Sequence, residues 1–223
     1  MYDAFNEVPY LRVRGDYGTG KTRFLLIVGA LCNKSFFASG ASTVSPIFHT
    51  LDAFRGTLVI DEGDFRFSDE KAEIIKILNN GNVRGVPVLR TMVSDSREYN
   101  PKAFRVFGPK LVATRGEYDD RALESRFLTE EIGRSRLRDD VPINLPPEHA
   151  AEALALRNKL LLYRLRNFHR AAIDPSAIDP ALEPRLNQIF VPLKSIVDDK
   201  AFRDELARVG RDLRLRFGRW ALP

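Results

Sequence analysis

The segment GDYGTGKT, residues 15–22, constrains this chain more than any other stretch. It follows the apolar run YLRVR (10–14) and precedes KTRFLLIVGAL, so it reads as a glycine-rich turn between a strand and a helix. A glycine, four residues and then Gly-Lys-Thr is the P-loop pattern, in which successive backbone amides surround phosphate groups. Gly15, Gly18 and Gly20 permit the close approach and backbone angles that a Cβ would forbid. The positive end of the helix that starts near Lys21 adds to the anion site. Lys21 is expected on the β- and γ-phosphates of a nucleotide, and the Thr22 hydroxyl on Mg2+. The predicted nucleotide-binding set is Gly15, Asp16, Tyr17, Gly18, Thr19, Gly20, Lys21, Thr22 and Arg23.

A second motif completes the chemistry. TLVIDEGDF (57–65) is an apolar strand ending in two adjacent carboxylates, a Walker B pattern. At the carboxyl end of a strand beside the P-loop, Asp61 is expected to hold Mg2+ and Glu62 to orient and deprotonate a water. A solvated acidic turn would look the same in isolation; the P-loop upstream favours the chemical reading. The Asp-Glu pair also favours hydrolysis over transfer to a small acceptor. ATP and Mg2+ are the expected ligands.

With 223 residues and 44% hydrophobic content, the chain can bury one sizeable core and a smaller second one. Strands are read at 10–14, 35–39, 57–61, 110–114 and 126–132, with helical stretches between them, which predicts an α/β fold with a parallel sheet of about five strands. After DDVPINLPPEH (139–149) strand signals stop. The expected division is a nucleotide-binding core over 1–145 and a helical lid over 146–223. In the last helix Phe202, Leu206, Val209, Leu213 and Phe217 form one apolar stripe, leaving Arg208, Arg211 and Arg214 outside. A single cysteine, Cys32, excludes an internal disulfide, and its apolar run is too short to span a bilayer. No secretory signal is read at the start, so the expected location is the cytoplasm of a bacterial, archaeal or phage-infected cell. The net charge of +5 suits phosphate recognition. His49 and His169 have no partners at metal-ligand spacing and are read as structural, and Trp220 as a packed anchor.

The P-loop, the DE-type Walker B, a later strand ending in a polar residue and ALESRF before a final strand together resemble an AAA+ ATPase. More narrowly, PYLRVRGDYGTGKT, HTLDAFRGTLVIDEGDF, EIIKILNNGNVRG and ATRGEYDDRALESRF resemble the replicative-helicase-like ATPases of phages and mobile elements. The resemblance implies a three-layer P-loop core with a small helical lid and an oligomeric, ring-forming ATPase, a hexamer being one option. It matches Thr114 to the first sensor, where many members have Asn; Arg115 is the alternative. It matches Arg126 to an arginine finger that reaches the nucleotide of a neighbouring subunit, with Arg121 as the competitor. Arg185 matches a lid arginine over the nucleotide.

Residues 79–107 are longer than an ordinary connection and alternate in β fashion, so an inserted hairpin is expected. In ring helicases such a hairpin enters the channel, which makes Arg84, Arg90 and Arg97 candidates for phosphate-backbone contacts with DNA; ordinary exposed arginines on a surface hairpin are the competing reading. The leading functional expectation is an ATP-driven motor that translocates on or unwinds DNA in replication of a phage or mobile element. An AAA+ switch that remodels a protein partner, a loader or transposition regulator without unwinding activity, is the alternative. A P-loop kinase is disfavoured by the DE pair and LESRF. No domain is read ahead of Tyr10, where related motors carry further segments, so a fragment of a longer protein is among the expectations.

Overall fold

The computed structural model describes residues 1–39, 43–64, 69–93, 99–133 and 138–218. Its centre is a five-stranded parallel sheet of β1 (Tyr10–Arg14), β2 (Phe36–Ala38), β3 (Leu58–Ile60), β6 (Lys110–Thr114) and β7 (Phe127–Glu131). The order across the sheet is β2-β3-β6-β1-β7. The five expected strands are these five, with β2, β3 and β7 trimmed at their ends. Parallel strands covered on both faces must be apolar almost throughout, and every residue of β3 and β6 is buried. The order puts β6 between the strand that enters the P-loop and the strand that ends in the DE pair.

Helices cover both faces. On one side α1 (Lys21–Leu31) packs Leu25 against Val13, Val59, Leu111 and Ala113. On the other, α2 (Val44–Phe54) and α3 (Asp69–Asn80) bring Phe48, Leu51, Ile77 and Leu78 onto Tyr10, Leu58 and Val112. The stretch after α3 forms the expected antiparallel hairpin, β4 (Val88–Val93) with β5 (Tyr99–Phe104). Its base is part of this core, because Val88, Phe104 and Val106 are buried in the same cluster.

Two charged side chains lie inside the core. Arg12 is 2% exposed, and its guanidinium forms a bidentate pair with Glu124 at 2.5 and 2.6 Å, donates to Thr129 Oγ1 at 3.1 Å, and lies against the rings of Tyr118 and Phe127. Lys110 is 1% exposed; its ammonium donates to the carbonyls of Val106, Gly108 and Gly81 at 2.8, 2.9 and 3.3 Å and lies over the Tyr10 ring. Burial pushes its pKa down to about 7.

The C-terminal third is helical, as expected. A short α4 (Arg121–Glu124), capped by the Asp120 carboxylate, leads into β7. Beyond it, α5 (His149–Asn167) lies against α1 and the N-terminal segment, tied by Arg157 Nη1 to the Ala30 carbonyl at 3.3 Å and by a bidentate Arg164–Asp3 pair at 2.6 Å. Helices α6 (Pro184–Ser195) and α7 (Lys200–Gly218) share a separate cluster of Leu182, Leu186, Ile189, Phe190 and Leu213, to which Leu128 of β7 adds. The α7 stripe is shorter than its sequence pattern implies. Leu206, Val209 and Leu213 face this cluster, but Phe202 is 53% exposed, and the Phe217 side chain lies outside the described residues. Arg208, Arg211 and Arg214 are exposed, as the pattern requires. Among the described residues no helix is long and apolar enough to cross a membrane.

Candidate phosphate-binding site

Every strand of the parallel sheet points its carboxyl end the same way, and the P-loop, the DE turn and the end of β6 meet there. Gly15 donates its N–H to the Thr114 carbonyl at 3.2 Å, which fixes the start of the loop against β6. A Cβ at Gly15 would lie 2.7 Å from both the Ile132 carbonyl and Thr19 Oγ1, so only glycine fits. Gly20, with φ +91°, forms the left-handed corner into α1 and has no side chain with which to cap the helix. The first-turn amides are thus presented without a competing side-chain acceptor, as an anion site requires.

The polar groups in the loop are held in place. Lys21 Nζ donates to the carbonyls of Asp16 and Gly15 at 2.6 and 2.7 Å, and Thr19 Oγ1 to Asp16 O at 2.8 Å. Thr22 Oγ1 donates to Asp61 Oδ2, 39 positions later in the sequence, at 2.7 Å. That contact joins the hydroxyl and the carboxylate expected to share Mg2+. A hard cation of this size takes one or two protein oxygens and completes its shell from phosphate and water, so the donor set fits. Among the described residues no group of three His, Cys, Asp or Glu converges on a metal site.

The DE turn is anchored on both neighbouring strands. Asp61 N–H donates to Ala38 O at 3.0 Å and Gly63 N–H to Ala113 O at 2.8 Å, while the Tyr118 hydroxyl donates to Gly63 O at 3.0 Å. Between these anchors Glu62 has φ +55°, a conformation that costs a non-glycine residue energy, and its side chain is exposed. Its own N–H donates to Asp61 Oδ1 at 2.9 Å. The turn thus fixes Asp61 by two contacts and leaves the Glu62 carboxylate facing solvent.

At the end of β6 two neighbouring side chains diverge. Thr114 is 1% exposed and its hydroxyl donates to the Gly116 carbonyl at 2.9 Å. Arg115 leans over the P-loop, with its guanidinium 4.6 Å from the centre of the Tyr17 ring and in contact with the Tyr17 hydroxyl. Asp64 holds it there: Oδ1 accepts the Arg115 N–H at 2.7 Å and Oδ2 accepts Nε at 3.0 Å. Tyr17 is 80% exposed, so this contact spans the mouth of the loop rather than its floor.

The remaining predicted residues lie elsewhere. Arg23 donates to the carbonyls of Pro142 and Ile143, pinning the segment before α5 onto α1. Arg126 is at the amino end of β7, where Phe127 pairs with Tyr10, at the opposite end of the strands from Gly15 and ~20 Å away by strand rise. Its Nε donates to Asn82 Oδ1 at 3.0 Å and Nη1 to the Ala122 carbonyl. Burial and the nearby Arg185 lower its pKa. Arg185, on α6, lines a cavity of about 550 Å³ together with Arg12, Arg121 and Leu213, and its charge acts on Arg126 and Tyr10. Arg84 donates to Phe5 O at 3.0 and 3.2 Å and stacks on Phe107; Arg90 pairs with Glu73 at 3.5 Å and lies over Phe48. Arg97 lies outside the described residues, as does Trp220. His49 packs edge-on against Phe104.

No family model matches the chain, and no curated protein matches it.

The residue that sequence reasoning passed over is Asp64. TLVIDEGDF carries it in plain view, but its partners, Arg115 and Gly116, lie 51 and 52 residues later, and no local pattern connects them. Glu124, the glutamate of ALESRF, is the counterion of buried Arg12.

Proposed function

We propose that this chain binds ATP with Mg2+ through the P-loop and hydrolyses it, as the catalytic unit of an AAA+ motor acting on DNA. The observation that carries the ATP reading is the 2.7 Å contact between Thr22 and Asp61 at the mouth of the P-loop. The strand order, with β6 between β1 and β3, supports it further, since it brings a third loop to the same edge. In this reading the amides of residues 18–22 and the ammonium of Lys21, drawn off its two carbonyls, hold the β- and γ-phosphates. Thr22 and Asp61 hold Mg2+, which neutralises charge on the phosphate oxygens. Glu62 orients the attacking water and accepts its proton. Arg115 supplies the cation near the γ-phosphate, because the Thr114 hydroxyl is already engaged with Gly116.

Arg126 stands at the opposite end of β7 from the chain's own P-loop, so in this proposal it, and with it Arg185, faces the nucleotide of a neighbouring copy in a ring. The test is ATP turnover per subunit as a function of protein concentration, with and without single-stranded DNA, for the parent and Arg126→Ala. A motor predicts a rate that rises with concentration and with DNA, and an Arg126→Ala protein that retains nucleotide but loses turnover. A rate independent of both contradicts it.

One observation favours the second reading, an AAA+ switch that remodels a protein partner. Arg84, although exposed, donates to the Phe5 carbonyl and stacks on Phe107, and half-buried Arg90 pairs with Glu73 and lies over Phe48, so both guanidinium groups are engaged by the chain's own groups. A switch predicts hydrolysis without strand displacement and without DNA stimulation.

A further inference from the structure

Helix α5 carries an apolar face that nothing among the described residues covers. Its inward side is marked by Ala153, 6% exposed, and by the ties of Arg157 to Ala30 and Arg164 to Asp3. On the opposite side, Ala151, Ala155, Asn158, Leu162 and Leu165 follow one another at steps of four and three, the spacing of a helix-packing seam, and all are exposed. Leu162 is 46% and Leu165 69% exposed, and Leu154 and Leu161 beside them are 47% and 50%. A soluble domain rarely leaves a contiguous stripe of this kind open to water.

We infer that α5 pairs with the α5 of a second copy of this chain, antiparallel, about a two-fold axis at Asn158. Three features of the seam select this occupant. The first is size. The amino half of the seam is small (Ala151, Ala155) and the carboxyl half large (Leu162, Leu165), so an antiparallel copy sets each leucine against an alanine. A parallel copy would set leucine on leucine at one end and leave a gap at the other. The second is polarity. Asn158, the seam's one amide, meets its own copy at the axis, where each side chain offers a donor and an acceptor to the other. The third is charge. Exposed Glu148 and Glu152 lie at the start of the helix and exposed Arg166 and Arg170 at and beyond its end. Antiparallel pairing brings acid to base at both ends and opposes the helix dipoles, whereas parallel pairing brings like to like. Lys159 approaches its own copy at the rim, where water screens the pair.

Such a contact is isologous: it uses the same patch on both copies and closes at two. It is therefore distinct from a ring contact, which joins different surfaces, and it does not rest on the nucleotide chemistry. It would couple chains in pairs across the α1 side of the molecule, leaving Arg126 and Arg185 uncovered.

Sedimentation equilibrium of the full chain, without nucleotide and at up to ~100 µM, tests it. The expected result is a dimer that Leu162→Glu and Leu165→Glu each weaken at least tenfold with unchanged circular dichroism, both side chains being exposed. Glu152→Arg should weaken it and Arg166→Glu in the same chain restore it. In a Cys32→Ser background, Ala155→Cys mixed with Leu162→Cys should oxidise to a mixed disulfide faster than either protein alone forms its own. A monomer throughout this range overturns the inference, as does a dimer indifferent to Leu165→Glu or a Leu162→Cys protein that cross-links to itself as fast as to its Ala155→Cys partner. Loss of ATP binding by Lys21→Ala leaves the dimer unchanged in this account, so the two readings fail separately.

Discussion

Thr114 and Arg115 are adjacent in sequence and opposite in behaviour. The last residue of a buried parallel strand points into the sheet and satisfies its hydroxyl locally, so Thr114 is bound to Gly116. The next residue is free of the sheet, and Asp64 draws Arg115 across the P-loop onto Tyr17. A cation held over the mouth of the loop interacts with whatever terminal phosphate enters. Arg115→Ala is therefore expected to weaken binding of a non-hydrolysable ATP analogue about tenfold or more, the worth of one hydrogen bond to a charged group, while ADP binding changes little. Titration with fluorescent analogues of both nucleotides measures this; an equal loss for the two would assign Arg115 a purely structural role. Sequence pattern identified the strand and its polar end, but the choice between these two side chains depended on Asp64, 51 residues away.

At the scale of elements, what was legible is what local chemistry decides. The apolar runs at 10–14, 57–61 and 110–114 became strands because a sheet covered on both faces admits little else, and the β-patterned stretch after α3 became a hairpin. Burial of charge was not legible. YLRVR places Arg12 in the middle of an apolar strand without announcing a partner, and the partner is Glu124, 112 residues away on α4. That pair is what fastens α4 and the ALESRF segment beneath β1. Removing one member leaves the other buried and unpaired, so Glu124→Ala is expected to destabilise the fold by ~3–5 kcal/mol, read from urea denaturation. A change under ~1 kcal/mol would place the Arg12 charge in water, contrary to its 2% exposure. The packing of α5 was likewise hidden: its periodicity predicts a helix, but Asp3 and Ala30, which hold it, are far off in sequence.

For the whole molecule, Lys110 joins β6 to the base of the hairpin through three carbonyls. Its pKa is about 7 in the fold against 10.5 for the free side chain. Between those values the unfolded chain binds more protons than the folded one, so stability rises with pH across that window and levels off above it. The thermal midpoint should therefore climb from pH 7 towards pH 10 and the climb should flatten in Lys110→Met; a midpoint that falls over this range would contradict the assignment. The two faces of the sheet serve different ends. The side of α2, α3 and the hairpin forms the main core, and the carboxyl edge gathers the P-loop, the DE turn and the β6 loop. That gathering is the central claim, and it is tested most directly by measuring nucleotide binding and phosphate release together in Glu62→Gln with Mg2+. The account predicts that the variant binds ATP as tightly as the parent and releases phosphate at least a hundredfold more slowly, the usual scale for loss of a general base. Phosphate release at the parental rate, or an absence of ATP binding in the parent itself, would contradict it.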